Sequence, residues 1–223
     1  MGATAIGGAQ DDSALGAKAS GVYATAIGGM SEASGVGSLA LGSNNNGFGA
    51  KATGEKAIAV GAAATASGAQ SVVVGVNSSA TGTAGIAMGR NVINQGNDAQ
   101  AIGNSSSVRS HYGTALGTFA TVAANADRGI AIGNSSQSST ATTVKVADGI
   151  ALGSYSVADR GAGISGYNMT TGRTNSYAGT SAAFTSGLGA LAIGTDQKTR
   201  QITGVAAGNA LTDAVNVAQL QSV

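Results

Sequence analysis

The chain has 223 residues with 11 basic and 10 acidic side chains, one histidine, and no cysteine, proline or tryptophan. With 9% charged and 4% aromatic residues, it can build neither an ordinary core of large side chains nor a net field that attracts nucleic acid. The 43% hydrophobic content, in which alanine is the commonest residue, is too high for a disordered chain, and 37 glycines without proline exclude a collagen triple helix.

The opening "MGATAIGGAQDD" has no basic n-region and no long apolar h-region, and no stretch approaches eighteen uninterrupted apolar residues. The expectation is that signal peptide and membrane anchor are absent from this chain and belong to other parts of an exported protein. Asp11 and Asp12 are adjacent but far from other oxygen-rich clusters, so no calcium site is expected, nor any other metal. Further on, "GFGAKA" (47–52) imitates a dinucleotide loop, yet Ser and Asn precede it where a buried strand is required.

From residue 54 a repeat takes over. Gly61, Gly75, Gly89, Gly103 and Gly117 close the half-units "IAVG", "VVVG", "IAMG", "QAIG" and "TALG" at steps of 14 residues, and Gly54, Gly68, Gly82 and Gly96 close softer half-units at the same step. Self-similarity of this kind marks a solenoid in which each repeat is one coil. Glycine every seventh residue costs up to about 1 kcal/mol each in a helix, whereas short runs of period two bounded by glycine suit strands and tight turns. An all-β parallel roll is therefore expected.

Alternation along a strand separates the two faces. Ala59, Ala66, Ala80, Ala87, Ala101 and Ala115 are expected to face into a thin coil. Thr and Ser then face outward on the soft half-units, while the other half presents Leu39, Leu41, Ile58, Val60, Val72, Val74, Ile86, Met88, Ile102, Leu116, Ile130, Ile132, Ile150 and Leu152. At ~4.8 Å per coil these make a continuous apolar stripe. Burying each such side chain stabilises by roughly 1.5–3 kcal/mol, so the missing core is expected between chains in a parallel homo-oligomer. The competing arrangement turns the aliphatics inward in a wider monomeric solenoid, where only Thr and Ser would oppose them.

The step lengthens from Gly42 to Gly61, from Gly117 to Gly133 and from Gly133 to Gly153, which places enlarged loops at coil corners. Candidate ligand-contact residues there are Asn44, Asn45, Asn46, Phe48, Arg128, Gln137 and Lys145, because binding concentrates on loops held by a rigid scaffold. His111 reads as a surface corner residue with no carboxylate near it in sequence, and each "DRG", at 127–129 and 159–161, reads as a local Asp–Arg pair. No catalytic residue and no cofactor are expected.

After Gly153 the 14-residue phrase breaks, "ALAIG" (190–194) restores a coil, and "TRQITGVAAG" (199–208) leads to "NALTDAVNVAQLQSV". There Thr212 or Asp213 is expected to cap a short helix running through Val215, Val217, Ala218 and Leu220.

The x-Ala-x-Gly repeats followed by "RQITGVAAG" and "DAVNVAQL" resemble the YadA-like head and neck of the trimeric autotransporter adhesins of Gram-negative bacteria. The resemblance implies a left-handed parallel β-roll, a homotrimer of three rolls side by side, and a neck leading toward a coiled-coil stalk. The corresponding divisions are a head at 1–153, an irregular base with a last coil at 154–198, and a neck at 199–223, whose Val215 and Leu220 join the trimer interface. The base carries Phe184 where relatives often have tryptophan. The implied function is non-enzymatic adhesion at the bacterial cell surface, with a matrix protein or host-cell ligand as partner and a membrane anchor outside this chain. Collagen-binding heads carry "NSVAIG"-type repeats, whereas this chain has "KAIAVG", "QSVVVG", "RGIAIG" and "DGIALG", so collagen binding does not transfer residue by residue. Two alternatives stand beside it: an ice- or polysaccharide-binding solenoid using rows of hydroxyls, and a left-handed β-helical acyltransferase using His111.

Overall fold

Two parallel sheets lie back to back in the computed structural model, which describes residues 2–8, 16–43, 48–174 and 183–223. One sheet has 11 strands and the other 10, and the chain alternates between them, each strand pairing with the strand two further along. The 11-strand sheet collects the x-Ala-x triplets from Thr4–Ile6 through Ile58–Val60 to Leu191–Ala192, and is called here the aliphatic sheet. Its partner collects the softer pairs, from Lys18–Ala19 through Thr65–Ala66 to Val157–Ala158, and is called the hydroxyl sheet.

Register is strict. Ala59 stands on Ala40 below and Val73 above, and Ala66 on Ala52 and Ala80, so small side chains form two inward columns. Ala59, Ala66, Ala80, Ala87, Ala101 and Ala115 are all fully buried. Within the chain the aliphatics therefore do not turn inward, and the wide-solenoid arrangement is excluded. The interior departs from alanine at Val73, Asn94, Val108, Val122 and Val144, each also fully buried. Extra volume on one wall is matched by loss on the other. The residue entering the aliphatic strand is Ala57 beside Ala52 and Ala99 beside Asn94, but Gly113, Gly129 and Gly149 beside the valines. A Cβ on Gly113 would stand 2.8 Å from Val108 Cγ1 and 3.2 Å from Val122 Cγ1, inside normal contact distance.

Glycine at the corners permits the stacking itself. A Cβ on Gly54, Gly61, Gly68, Gly75 or Gly82 would overlap the carbonyl of the glycine one coil further on. Two residues past each of these glycines the backbone turns left-handed even without glycine, at Lys56, Ala63, Gln70, Asn77, Ala84, Asn91 and Asp98 among others, with φ between 50 and 59 for these seven. Each non-glycine residue in that region costs of order 1 kcal/mol. A corner hydrogen-bond ladder opposes this cost: the amides of Gln70, Ala84, Asp98 and Tyr112 donate to the carbonyls of Glu55, Ala69, Thr83 and Asn97 on the preceding coil at 2.7 to 2.9 Å. Buried serines that end these turns donate back to the turn glycine, as Ser38 to Gly35 and Ser71 to Gly68, both at 2.7 Å.

Three local expectations are corrected. The regular coils continue past Gly153, since Val157–Ala158 pairs with Thr143–Val144. "ALAIG" restores half a coil: Leu191–Ala192 extends the aliphatic sheet, with no matching strand in the hydroxyl sheet among the described residues. The C-terminal helix α1 (Val217–Gln221) is capped by Asn216, whose side chain accepts from the Gln219 amide while Gln219 reaches back to the amide of Asn216. Asp213 instead accepts from the amides of Asn209 and Ala210, at 2.9 Å each, closing the turn before the helix. With Asp213 engaged in that turn, the reciprocal bonds of Asn216 and Gln219 set the start of the helix.

Replacing Gly68 by alanine is expected to cost roughly 3 kcal/mol or more per chain, because the obstacle is backbone that cannot yield. Ala84→Gly, which relieves a left-handed alanine, is expected to stabilise by about 1 kcal/mol. Denaturant unfolding of both variants measures the opposite signs.

Candidate functional site

Four surfaces remain: two sheet faces and two corners. On the aliphatic sheet the third residue of each triplet forms one outward column. Pairing places Ile6, Ile27, Leu41, Val60, Val74, Met88, Ile102, Leu116, Ile132 and Leu152 one above the next, and Ile193 follows the last strand. Every member is apolar. The first residues form a second column that is apolar from Leu39 to Ile86 and again from Ile130 to Leu191, with Gln100 and Thr114 between. All fourteen roll aliphatics named from the sequence lie on this face and none is fully buried; Met88 is 41% exposed, Leu116 44% and Leu152 47%. Ile6, Ile27 and Ile193 were missed, although the same signature stands in "TAIG" at 4–7 and 25–28 and in "LAIG" at 191–194.

The stripe ends against residues 200–203. An apolar recess of about 510 Å³ is lined by Ile132, Leu152, Ile193, Arg200 and Ile202 among others. Arg200 fixes that segment, donating to the Ser154 carbonyl at 2.5 Å, to Ser156 Oγ at 3.2 Å and to the Ile193 carbonyl. Beyond it, Gln219 clasps Gly208 through both backbone groups, at 2.8 and 2.9 Å, and Asn216 donates to the Val205 carbonyl at 3.2 Å. This compact turn leaves Leu211 95%, Val215 67% and Leu220 69% exposed.

Hydroxyls line the opposite sheet over part of its length. Ser20, Ser34, Thr53, Ser67 and Thr81 are exposed at equivalent positions, but the next positions are Gln95, Arg109, Ala123, Lys145 and Asp159. The expectation of Thr and Ser throughout is thus corrected; even Ile93 lies outward here, 37% exposed. Behind it Asn94 is buried and saturated: its amide nitrogen donates to the carbonyls of Ile86 and Ala99 at 2.9 and 2.7 Å, and its oxygen accepts from Gly96 at 3.1 Å. The residue pins the two sheets together from inside.

Side chains also tie successive coils along the corner that leads into the aliphatic strands. The amide of Thr83 donates to Asn97 Oδ1, that of Asn97 to His111 Nδ1, and that of His111 to Asp127 Oδ1, at 2.9, 3.1 and 3.0 Å. His111 is indeed an exposed corner residue, and its Nδ1 is engaged as an acceptor in this ladder. The local Asp127–Arg128 pair is replaced by a pair between coils: Arg128 meets Asp148 through Nε–Oδ1 at 2.6 Å and Nη2–Oδ2 at 2.8 Å. The Arg128 hydrogen bond holds the Asp148 carboxyl below its ordinary value.

The candidate ligand-contact residues do not converge. Phe48 and Gln137 lie at the corner leaving the aliphatic strands, exposed and separated by many coils; Arg128 is at the other corner; Lys145 projects from the hydroxyl sheet. Asn44, Asn45 and Asn46, like Asp11 and Asp12, lie outside the described residues. A polar notch of about 520 Å³ at the end of the roll is lined by Asp159, Arg160, Asp196 and Arg200 among others. Among the described residues no group of three His, Cys, Asp or Glu side chains could hold a metal, and no helix is long and apolar enough to cross a membrane.

The architecture is a β-solenoid, a parallel roll of x-Ala-x-Gly coils followed by a capped C-terminal turn. Residues 19–45, 47–64, 52–78 and 66–91 match the YadA head domain repeat. The chain is 47% identical over 76 residues to the autotransporter adhesin BadA of Bartonella henselae, covering 33% of this chain and 2% of that protein. It is 39% identical over 104 residues to the autotransporter adhesin EhaG of Escherichia coli O157:H7, covering 46% and 5%. The crystal structure of the collagen-binding domain of the Yersinia adhesin YadA superposes with a TM-score of 0.56 at 29% identity, over 100% of this chain and 97% of that one. The chain thus carries YadA head repeats over residues 19–91 and is similar in sequence and fold to parts of autotransporter adhesins, and it spans only a few per cent of the length of the two curated relatives.

Two outcomes follow from the tethers between coils. Asn94→Ala leaves buried backbone groups without their partner and is expected to destabilise by about 1–3 kcal/mol, measured by denaturant unfolding. A carboxyl with a depressed folded-state pKa contributes stability that is present at neutral pH and lost as pH falls through that value. Arg128→Ala is therefore expected to raise the Asp148 midpoint in an NMR titration and to remove this acid-sensitive contribution.

Proposed function

We propose that this chain is the trimeric head of a bacterial surface adhesin, which attaches the cell to a matrix protein or host-cell ligand without catalysing a reaction. The outward apolar column from Ile6 to Ile193 carries the proposal. Eleven strands at ~4.8 Å make it about 50 Å long, more than a soluble monomer normally leaves in water. A stripe repeated in every coil is complementary to itself, and parallel packing brings three necks to one end, where Leu211, Val215, Val217 and Leu220 need partners as well. In this reading residues 1–153 form the head, 154–198 its base and 199–223 the neck toward a stalk, and Val215 and Leu220 join the roll aliphatics at the interface.

The hydroxyl sheet and both corners then face outward. Phe48, Gln137, Arg128 and Lys145 are too far apart for one small-molecule site, which suits a long ligand held by many weak contacts and by display of many heads. The Yersinia head is a collagen-binding domain, and collagen is accordingly the first ligand to try. The head is displayed at the cell surface by the remainder of an outer-membrane-anchored protein. An acyltransferase is disfavoured because His111 stands on a corner, away from the aliphatic face and occupied by the Asn97 amide. Ice or polysaccharide binding is disfavoured because the hydroxyl row ends at Gln95.

Met88→Asp with Leu116→Asp places charges in the continuous column and is expected to give monomers in light scattering, with the roll's circular dichroism retained. A trimer of unchanged melting temperature would put the interface elsewhere. The intact protein is expected to bind at least one of immobilised collagen, fibronectin, laminin or host cells, and the double variant to lose that binding through lost avidity; failure against all of them would overturn the adhesive role.

A further inference from the structure

A uniformly apolar stripe holds chains together but does not say how they align. Sliding one roll past its neighbour by a single coil sets Ile against Val or Leu again, much as a featureless strand slips in register. Beyond the threonines of the first two coils, Thr4 and Thr25, the first-residue column breaks that uniformity at one place only between Leu39 and Leu191: Gln100 and Thr114, in adjacent coils and paired directly. Both point outward on the aliphatic sheet, opposite in sense to the buried Ala101 and Ala115. Ile86 and Ile130 stand immediately below and above them. Among the described residues neither the Gln100 carboxamide nor the Thr114 hydroxyl has a hydrogen-bond partner: the outward face around them is aliphatic, and the corner bonds of these coils are made by Asn97, His111 and Asp127.

We infer that Gln100 and Thr114 form a polar layer that fixes the axial alignment of copies of this chain and selects like chains as partners. The inference rests on the trimeric reading above. A carboxamide and a hydroxyl each both donate and accept, so three copies at one level satisfy one another around the axis. Shifted by one coil, one copy's Gln100 meets Ile86 and another's Thr114 meets Ile130, with a single Thr114–Gln100 contact left, and a shift of two coils or more strands every desolvated polar group against aliphatics. A lone polar layer in an apolar seam sets register in coiled coils by the same opposition, at a cost in stability.

The test moves the layer. A variant with Gln100→Ile, Thr114→Ile, Ile58→Gln and Val72→Thr keeps one Gln–Thr pair on the face but carries it elsewhere. Co-expressed with the unchanged full chain and read by native mass spectrometry, mixed trimers are expected at least tenfold below the statistical proportion, whereas two differently tagged copies of the unchanged chain mix statistically. Statistical mixing of shifted and unchanged chains would overturn the inference while leaving the trimer intact; a monomeric unchanged chain would instead overturn the trimeric reading. If the four-fold variant does not assemble by itself, Gln100→Ile with Thr114→Ile replaces it. That variant is expected to melt higher than the unchanged chain and still be depleted from mixed trimers, and equal melting with statistical mixing contradicts the role.

Discussion

The close approach of two backbones governs this molecule. With mostly methyl groups between the sheets, a coil can close only if its corners carry no Cβ where Gly54, Gly68 and Gly82 meet the next coil. Once the coil is that thin, branched side chains have no room inside and must lie on the outer face. Glycine spacing, alanine interior and apolar exterior are one constraint seen three ways. Even the exceptions obey it, since Val108, Val122 and Val144 enter the interior only where the opposite wall gives way to Gly113, Gly129 or Gly149.

A thin roll needs cohesion that a small core cannot supply, because alanine burial contributes little per residue. Hydrogen bonds running along the solenoid make up the difference. Backbone ladders join every coil to the next in both sheets and at the corners, and Asn97, His111 and Asp127 add a side-chain ladder. Such bonds are individually modest but recur at every step of the stack. The result is a stiff rod whose faces are regular enough to pack against copies of themselves, and whose corners accept inserted loops without disturbing the coils.

Much of this was legible in the residues. The 14-residue glycine step gave coil length, period-two alternation gave the faces, and both agree with the strand pairing. What escaped were features that depend on neighbours distant in sequence. Nothing in "ADRG" says that Arg128 reaches Asp148, because their closeness arises from stacking coils of unequal length. Asn94 carries no signal in the sequence, because its hydrogen bonds come from Ile86, Gly96 and Ala99 around it. Thr212 and Asp213 are plausible caps by composition, yet the reciprocal bond between Asn216 and Gln219 decides the helix start. The candidate contact residues failed to converge for a related reason: loop enlargement marks a corner but not which corner, or how many coils separate it from the next.

The central claim is that aliphatics excluded from the inside of one roll are sheltered between rolls. Sedimentation equilibrium of the unmodified chain tests it most directly. A species three times the 21.1 kDa chain mass, persisting on dilution, is the expected result; a stable, soluble species of 21.1 kDa with the roll intact would contradict it.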